Sequence, residues 1–202
     1  DANSNKFAEY ISDLNGKFSL STKDQALALV DKLECSADDS SIKEEFRARL
    51  ESTLYTTHRQ FAENPLLLTI MYMTYELFRD VPSKMHLFYR DAYDALSKSH
   101  DALKGLKRPS ETGLTADEFA EWFSEFCART YYDEKYEFTE YEFTEYFNSL
   151  TQHAKRPDRH IVAKAFRDDL CDNLCLMYFE SGKYHFTHRS FQEYFCALYF
   201  SK

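Results

Sequence analysis

The sequence predicts a mainly α-helical protein with one short β-hairpin close to its C-terminal end. The 202 residues include only four glycines and four prolines, whereas 17% are aromatic, so sharp turns are few and much bulky surface must be buried. Apolar residues recur at helical spacing along most of the chain. Near the end, two short alternating runs flank Ser181-Gly182, a dipeptide that suits a two-residue hairpin turn.

The first two helices are predicted from paired capping signals. Ser21 with Asp24 three positions on marks the start of one helix. Ser41 with Glu44 marks a second, an amphipathic helix that we expect to run to about Phe61.

Asn64-Pro65 predicts the start of a third helix, because asparagine caps a helix well and proline at the first helical position loses no hydrogen bond. Residues 66–73 are apolar on all sides, so this helix is expected at the centre of the first core. The longest apolar run, residues 65–78, is too short to span a bilayer and contains Glu76, so no membrane-spanning segment is expected. Ser83 is the predicted cap of a fourth helix, with inward-facing residues Leu87, Phe88, Ala92, Tyr93 and Leu96.

Residues 105–114 hold two of the four glycines and a proline, and we expect them to separate two domains. The predicted organisation is a trailing connection over 1–20, a helical domain over 21–104, a linker over 105–114 and a second domain over 115–202. Neither end carries a start or stop signal, so we expect a piece of a longer protein.

The second domain is predicted to contain helices and the hairpin. Ser or Thr followed three positions later by Glu predicts three helix starts, at Thr115 and Glu118, at Thr139 and Glu142, and at Ser190 and Glu193. Pro157 and Asp158 predict the start of another helix, and strands are predicted over 176–180 and 183–187. Three helices followed by a hairpin is the order of a winged-helix domain.

Composition and glycine spacing exclude several function classes. With 25 Lys and Arg against 34 Asp and Glu, the net charge is -9, so neither nucleic acid nor an anionic membrane is an expected partner. Five scattered cysteines indicate reduced thiols in the cytoplasm. The four glycines, Gly16, Gly105, Gly113 and Gly182, include no pair five apart, so a GxxxxGK[ST] phosphate loop is absent and this chain alone should not hydrolyse nucleotide.

Three other functions can be considered from the residues. A zinc site from Cys171, Cys175, His185 and His188 fits no standard finger spacing, and buried thiols are the preferred interpretation. A winged helix also suggests DNA binding through the basic residues Arg156, Arg159, Lys164 and Arg167. The neighbouring carboxylates Asp158, Asp168, Asp169 and Asp172 cancel that charge. The third alternative is a protein-interaction adaptor whose exposed aromatic residues dock a partner helix.

Two segments resemble hallmark sequences of NACHT-family STAND nucleotidases. They are residues 64–69, Asn-Pro-Leu-Leu-Leu-Thr, and residues 184–195, Tyr-His-Phe-Thr-His-Arg-Ser-Phe-Gln-Glu-Tyr-Phe. The resemblance covers about residues 17–200 and implies the helical domain and winged-helix domain that follow a NACHT nucleotide-binding core. The core itself, with its phosphate loop and magnesium-binding acidic strand, is missing from this sequence.

The resemblance also implies roles for particular residues. By motif match, Pro65 would pack on the adenine of a bound nucleotide with Leu66 beside it, and His188 would contact the β-phosphate of ADP. No catalytic or metal-binding residue is implied in this chain. ATP or ADP with magnesium would bind the full-length parent and none is expected on this piece alone. The expected partners are the missing core and, on activation, further copies of the parent, in cytoplasmic signalling such as microbial innate defence.

Overall fold

The computed structural model describes residues 22–33, 40–102, 110–153 and 161–201. These residues are mainly α-helical with one small antiparallel sheet, as the sequence predicts. Described residues up to Ser99 belong to one compact unit and those from His100 onward to a second. The predicted connection over 1–20 lies outside the described residues, as does the first part of the predicted linker, whose bounds stay a prediction.

The first unit is built from one apolar helix and the helices around it, the last of which continues past Ser99 into the second unit. They are α1 (Lys23–Lys32), α2 (Ser40–Arg49), α3 (Tyr55–Thr57), α4 (Arg59–Ala62), α5 (Pro65–Phe78) and α6 (Met85–Ala102). Helix α5 is buried along most of its length, as its all-round apolar sequence predicts. The ring of Phe46 on α2 packs against Tyr72 and Tyr75 of α5, each with ring centroids 5.3 Å apart.

Two predicted helix starts in this unit are corrected. Helix α1 is capped by Thr22, whose hydroxyl accepts from the Gln25 N–H at 3.3 Å, and the predicted cap Ser21 lies outside the described residues. Ser41 does not cap α2, because α2 already includes Ser40. The capping signals therefore located both helices but missed their first residues.

The helix predicted from Ser41 to about Phe61 is interrupted. A π-helical turn over Leu50–Leu54 continues α2 into α3, and His58 separates α3 from α4 with φ −123° and ψ 40°. The His58 side chain is buried, and its ring nitrogens bond the Thr57 hydroxyl and the Pro82 carbonyl, both at 2.9 Å. The break accompanies a bond to a residue 24 positions away, which local periodicity does not reveal.

The start of α5 is confirmed and the start of α6 is not. Asn64 Oδ1 accepts from the backbone N–H groups of Leu66 at 3.0 Å and Leu67 at 3.1 Å, with Pro65 at the first helical position. Helix α6 begins at Met85, and its first backbone bonds run to the carbonyl of Lys84 rather than to Ser83. Asn64-Pro65 was a more reliable signal of a helix start than Ser83 alone, because a capping asparagine and a proline at the first helical position both indicate the same start.

The second unit has three helices, then a hairpin, then a last helix, which is the predicted order, with one additional short strand after its first helix. They are α7 (Ala116–Tyr132), β1 (Glu137–Phe138), α8 (Glu140–His153), α9 (Ala163–Asp168), β2 (Met177–Glu180), β3 (Lys183–Phe186) and α10 (Arg189–Phe200). The sheet is antiparallel with strand order β1-β3-β2. Strand β1 was not predicted, because two residues are too short to show alternation.

Two helix starts of the second unit are confirmed. Thr115 and Glu118 form a reciprocal capping box on α7, and Thr139 and Glu142 form the same arrangement on α8. The predicted start at Pro157 and Asp158 lies outside the described residues. Helix α9 begins only at Ala163, because Val162 is extended, and a π-helical turn over Asp169–Asn173 continues it.

The hairpin of β2 and β3 is confirmed with its turn at Ser181 and Gly182. Both turn residues have positive φ, 52° and 82°, which is the requirement of a type I′ turn. The core beneath the sheet is aromatic. Its fully buried phenylalanines are Phe123, Phe126, Phe138, Phe143, Phe147, Phe166, Phe191 and Phe195. No helix in the described part of the chain is long and apolar enough to cross a membrane.

Candidate functional site

The candidate site lies where the chain leaves the hairpin and enters α10. Thr187, at this junction, is buried, and its backbone N–H donates to the carbonyl of Leu176 at 2.9 Å. Its hydroxyl donates to the carbonyl of Cys175 at 2.6 Å. These two bonds fix the end of the hairpin, so the next residue, His188, begins α10 from a defined position.

His188 is the N-cap of α10. Its backbone is extended, with φ −150° and ψ 133°, and its Nδ1 accepts from the N–H of Ser190 at 3.2 Å. The Ser190 hydroxyl also lies within hydrogen-bond distance of Nδ1. The predicted capping box of Ser190 with Glu193 is therefore wrong, and Glu193 pairs instead with Arg189 at 3.2 Å. An imidazole that caps a helix is not part of the usual capping pattern, so sequence favoured the serine.

The surroundings of His188 favour a neutral ring. Burial lowers the pKa of His188 below its ordinary value, and the opposing influence of Glu193 is smaller. A backbone N–H can only donate, so Nδ1 must accept and the proton of the neutral ring resides on Nε2. Among the described residues, Nε2 has no hydrogen-bond partner. The site thus offers one N–H donor for an external acceptor.

Arg189, the next residue, is already engaged. Its guanidinium lies 4.1 Å from the centre of the Tyr136 ring and donates to the Tyr136 hydroxyl at 3.1 Å. The same group forms the ion pair with Glu193 on the following turn. Because its charge is compensated and its position is held by stacking, Arg189 is a less suitable anion ligand than the His188 ring.

Gln192 holds the first turn of α10 against α7. The side chain is fully buried, and its Nε2 donates to the Thr130 hydroxyl and to the carbonyl of Lys135, both at 2.9 Å. Lys135 in turn binds Glu142, the capping residue of α8. Gln192, one helical turn after His188, is therefore bonded directly to α7 and linked through Lys135 to α8.

The other predicted site residues, Pro65 and Leu66, lie in the first unit at the start of α5. Both are buried, and Leu66 is only 1% exposed. The carbonyl of Pro65 accepts from the Thr69 hydroxyl at 2.9 Å, which fixes the first turn of α5. Because Pro65 is buried, a base can stack on it only after the packing around the start of α5 changes.

The geometry bears on the zinc interpretation. The Cys171 thiol is largely enclosed, and burial raises its pKa to about 12, so it is protonated at neutral pH and is a poor ligand. The described residues contain no group of three or more His, Cys, Asp or Glu side chains that could hold a metal ion.

The geometry also bears on DNA binding. Arg167, on the helix that would enter a groove, pairs with Glu140 at 2.8 Å and with Asp168 at 3.0 Å, and its side chain is 11% exposed. Its guanidinium also lies over the ring of Tyr184, at 5.2 Å. Reaching a phosphate would require breaking both ion pairs. Arg156 and Arg159 lie outside the described residues.

An open groove of about 490 Å³ lies elsewhere in the second unit, between α7, α8 and the end of α10. Its exposed aromatic side chains are Tyr132, 87% exposed, Phe200, 75% exposed, and Tyr199, 41% exposed. The polar groups in the groove are bonded to one another, since Tyr146 donates to Asp133 at 2.8 Å. Burial, followed by that bond, raises the pKa of Tyr146 to about 12. This groove is the feature that an adaptor would use.

No protein-family model, curated protein or solved structure matches the chain. The resemblance to NACHT proteins therefore rests on the two motifs and on their spacing. Sequence reasoning selected His188 but missed Ser190 as its partner and Gln192 as the anchor of its helix. The only sequence signal for these contacts is that all three residues fall within one motif, at 188, 190 and 192.

Proposed function

We propose that this chain is the regulatory segment of a NACHT-type STAND signalling nucleotidase. In this proposal the two units help to hold ADP or ATP on a nucleotide-binding core encoded upstream. They also couple the state of the nucleotide to rearrangement and self-association of the parent protein. The chain itself supplies contacts, while hydrolysis and magnesium binding belong to the core.

The observation that carries the proposal is the state of His188. Its Nδ1 is used to cap α10, and its Nε2–H has no partner among the described residues. A single N–H donor at the start of a helix suits one terminal oxygen of a diphosphate. Such a contact is lost when the winged-helix domain moves away, so it favours the nucleotide-bound arrangement by its differential affinity.

Pro65 contributes in a different way. A rigid pyrrolidine loses little entropy when an aromatic base packs on it, which suits the adenine contact that the motif implies. Because Pro65 and Leu66 are buried in this structure, base stacking in the parent requires a change in the packing around the start of α5. That requirement links nucleotide binding to a conformational change.

The test is ADP retention by the parent protein, with the upstream region restored. His188→Ala is expected to weaken ADP binding roughly tenfold or more, since a hydrogen bond to a charged phosphate contributes about 1.5–3 kcal/mol. His188→Asn is the informative companion, because asparagine caps a helix well but lacks the Nε2 donor. Both variants should lose ADP, whereas only His188→Ala should destabilise α10.

Pro65 needs its own control, because the residue also begins α5. Pro65→Ala is expected to weaken ADP retention, and Asn64→Ala removes the cap of the same helix without changing the proline. If Asn64→Ala lowers retention as much as Pro65→Ala, the loss comes from the helix and not from stacking. Unchanged retention in both the His188 and Pro65 variants contradicts the proposal, as does an upstream region that encodes no phosphate loop.

The second candidate is a protein-interaction adaptor, which the open aromatic groove at Tyr132 and Phe200 favours. An adaptor requires neither an upstream core nor the His188 contact. Under that function Tyr132→Ala would abolish partner binding by this chain, and ADP retention would not depend on His188. Under the main proposal the His188 variants change retention, so the same measurement separates the two functions.

A further inference from the structure

Two groups of Ser190 contact one nitrogen of the His188 ring. The backbone N–H of Ser190 donates to Nδ1 at 3.2 Å, and its hydroxyl contacts the same nitrogen. Because the amide has no lone pair to offer, Nδ1 must be the acceptor. A neutral imidazole carries its one proton on the other nitrogen, so these contacts select the Nε2–H tautomer.

The same contacts fix the orientation of the ring. Rotation of the imidazole by half a turn would place a carbon where Nδ1 lies and would lose both contacts to Ser190. Protonation of Nδ1 would set one donor against another, and burial of His188 independently disfavours the charged ring. Geometry and burial therefore favour one species in one orientation.

We propose that Ser190 is a positioning residue, which holds His188 as the Nε2–H tautomer and so presents one fixed donor to the terminal phosphate of a nucleoside diphosphate. The ligand part of this inference rests on the proposed function. Ser190 itself does not touch the nucleotide. A donor that is already fixed binds its acceptor with less ordering cost than a ring that must first select a tautomer and a rotamer.

The tautomer is measured on the 202-residue chain by nitrogen NMR of its labelled imidazoles, without nucleotide. His188 is expected to show an unprotonated Nδ1 and a protonated Nε2. Ser190→Ala removes one of the two donors to Nδ1 and keeps the backbone N–H, so the Nδ1–H tautomer should gain population without becoming dominant. The two nitrogen signals should therefore move part of the way toward each other, and exchange of the Nε2 proton should accelerate severalfold. Ser190→Thr, which keeps a hydroxyl, should restore the original signals.

Ser201→Ala is the matched control. It removes a serine hydroxyl at the other end of α10, where that hydroxyl donates to the carbonyl of Leu198. It should leave the His188 signals unchanged. Circular dichroism of Ser190→Ala checks that the chain remains folded. A protonated Nδ1 in the original chain, or signals that Ser190→Ala does not move, would overturn the inference.

The outcomes separate this inference from the proposed function. In the parent protein, Ser190→Ala is expected to weaken ADP retention about threefold, less than His188→Ala. If Ser190→Ala changes the tautomer but His188→Ala leaves ADP retention unchanged, the proposed function fails and the positioning of the ring by Ser190 stands. If His188→Ala lowers ADP retention but Ser190→Ala leaves the tautomer unchanged, only the role of Ser190 fails.

Discussion

Asp169 is a carboxylate that is 2% exposed and is surrounded by hydrogen-bond donors. It accepts from the hydroxyl of Ser110 at 2.7 Å, from the N–H of Glu111 at 2.9 Å and from both groups of Thr112, at 3.0 and 2.7 Å. The Asn173 side chain donates as well. Residues 110–112 belong to the predicted linker, so this side chain fastens the end of the linker to the turn that follows α9.

Asp169→Asn should be strongly destabilising, because the amide keeps the shape of the carboxyl but turns an NH₂ group toward donors. We expect the free energy of unfolding to fall by about 3 kcal/mol, the scale of a few charged hydrogen bonds. Urea unfolding followed by circular dichroism measures it. Asp172→Asn, an exposed neighbour on the same turn, should change stability by less than about 0.5 kcal/mol. Equal effects of the two variants would contradict the role given to Asp169.

The contribution of Asp169 should disappear in acid. Burial raises its pKa, but the bonds from Thr112 and Ser110 outweigh burial and hold the pKa of Asp169 below its ordinary value. A depressed folded-state pKa stabilises the protein above the unfolded-state pKa, about 3.9, and that stability is lost as the pH falls through the folded-state value. The stability difference between the original chain and Asp169→Asn should therefore begin to narrow below about pH 5 and continue to narrow as the pH falls below about 3.9. A difference that stays constant or widens in acid is the opposite result.

At the scale of the element, the hairpin shows how backbone conformation selects residues. Gly182 has φ 82°, and a Cβ added there would meet nothing within 4 Å. The cost of a side chain at this position is therefore backbone strain alone. Ser181, at φ 52°, is also in the left-handed region, where asparagine, aspartate or glycine is preferred over serine in this type of turn.

Two substitutions in this turn should have opposite effects. Gly182→Ala should lower the free energy of unfolding by about 1 kcal/mol, because an alanine is forced into the left-handed region. Ser181→Asn should raise it by about 0.5 kcal/mol, because Asn-Gly is the preferred type I′ pair. Thermal unfolding of both variants beside the original chain gives the signs. Effects of the same sign would show that the strain described for this turn does not control its stability.

The helices illustrate which elements the sequence could predict. Thr115 with Glu118 and Asn64 with Pro65 were located to the residue, because each cap is satisfied within three positions along the chain. The break at His58 and the cap of α10 were missed. Their causes are a bond to Pro82 in one case and a junction fixed by Thr187 in the other, neither of which changes the apolar periodicity.

For the whole molecule, the fold class followed from composition and period, whereas the candidate site followed from a motif. Helical spacing along most of the chain, with one Ser-Gly turn between two short alternating runs, is a strong signal for this fold class. The mainly α architecture with its hairpin is confirmed. The sequence did not identify Ser190 as the partner of His188, or Asp169 as the acceptor for Ser110, because the residue types alone do not say which donor meets which acceptor. Asp169 and Ser110 are 59 positions apart, so only the folded chain brings them together.

The charge of the whole chain bears on the remaining alternative, in which the second unit would bind DNA. The net charge is -9, and Arg167 on the helix that would enter a groove is held by Glu140 and Asp168. Association with a phosphate backbone gains free energy from counterion release, and a negatively charged surface with its arginine already paired obtains little of that gain. We expect no binding to duplex DNA in fluorescence anisotropy even at about 50 mM salt, where electrostatic binding is strong. Binding that weakens steeply with added salt and is abolished by Lys164→Ala, an exposed residue on the same helix, would establish the opposite.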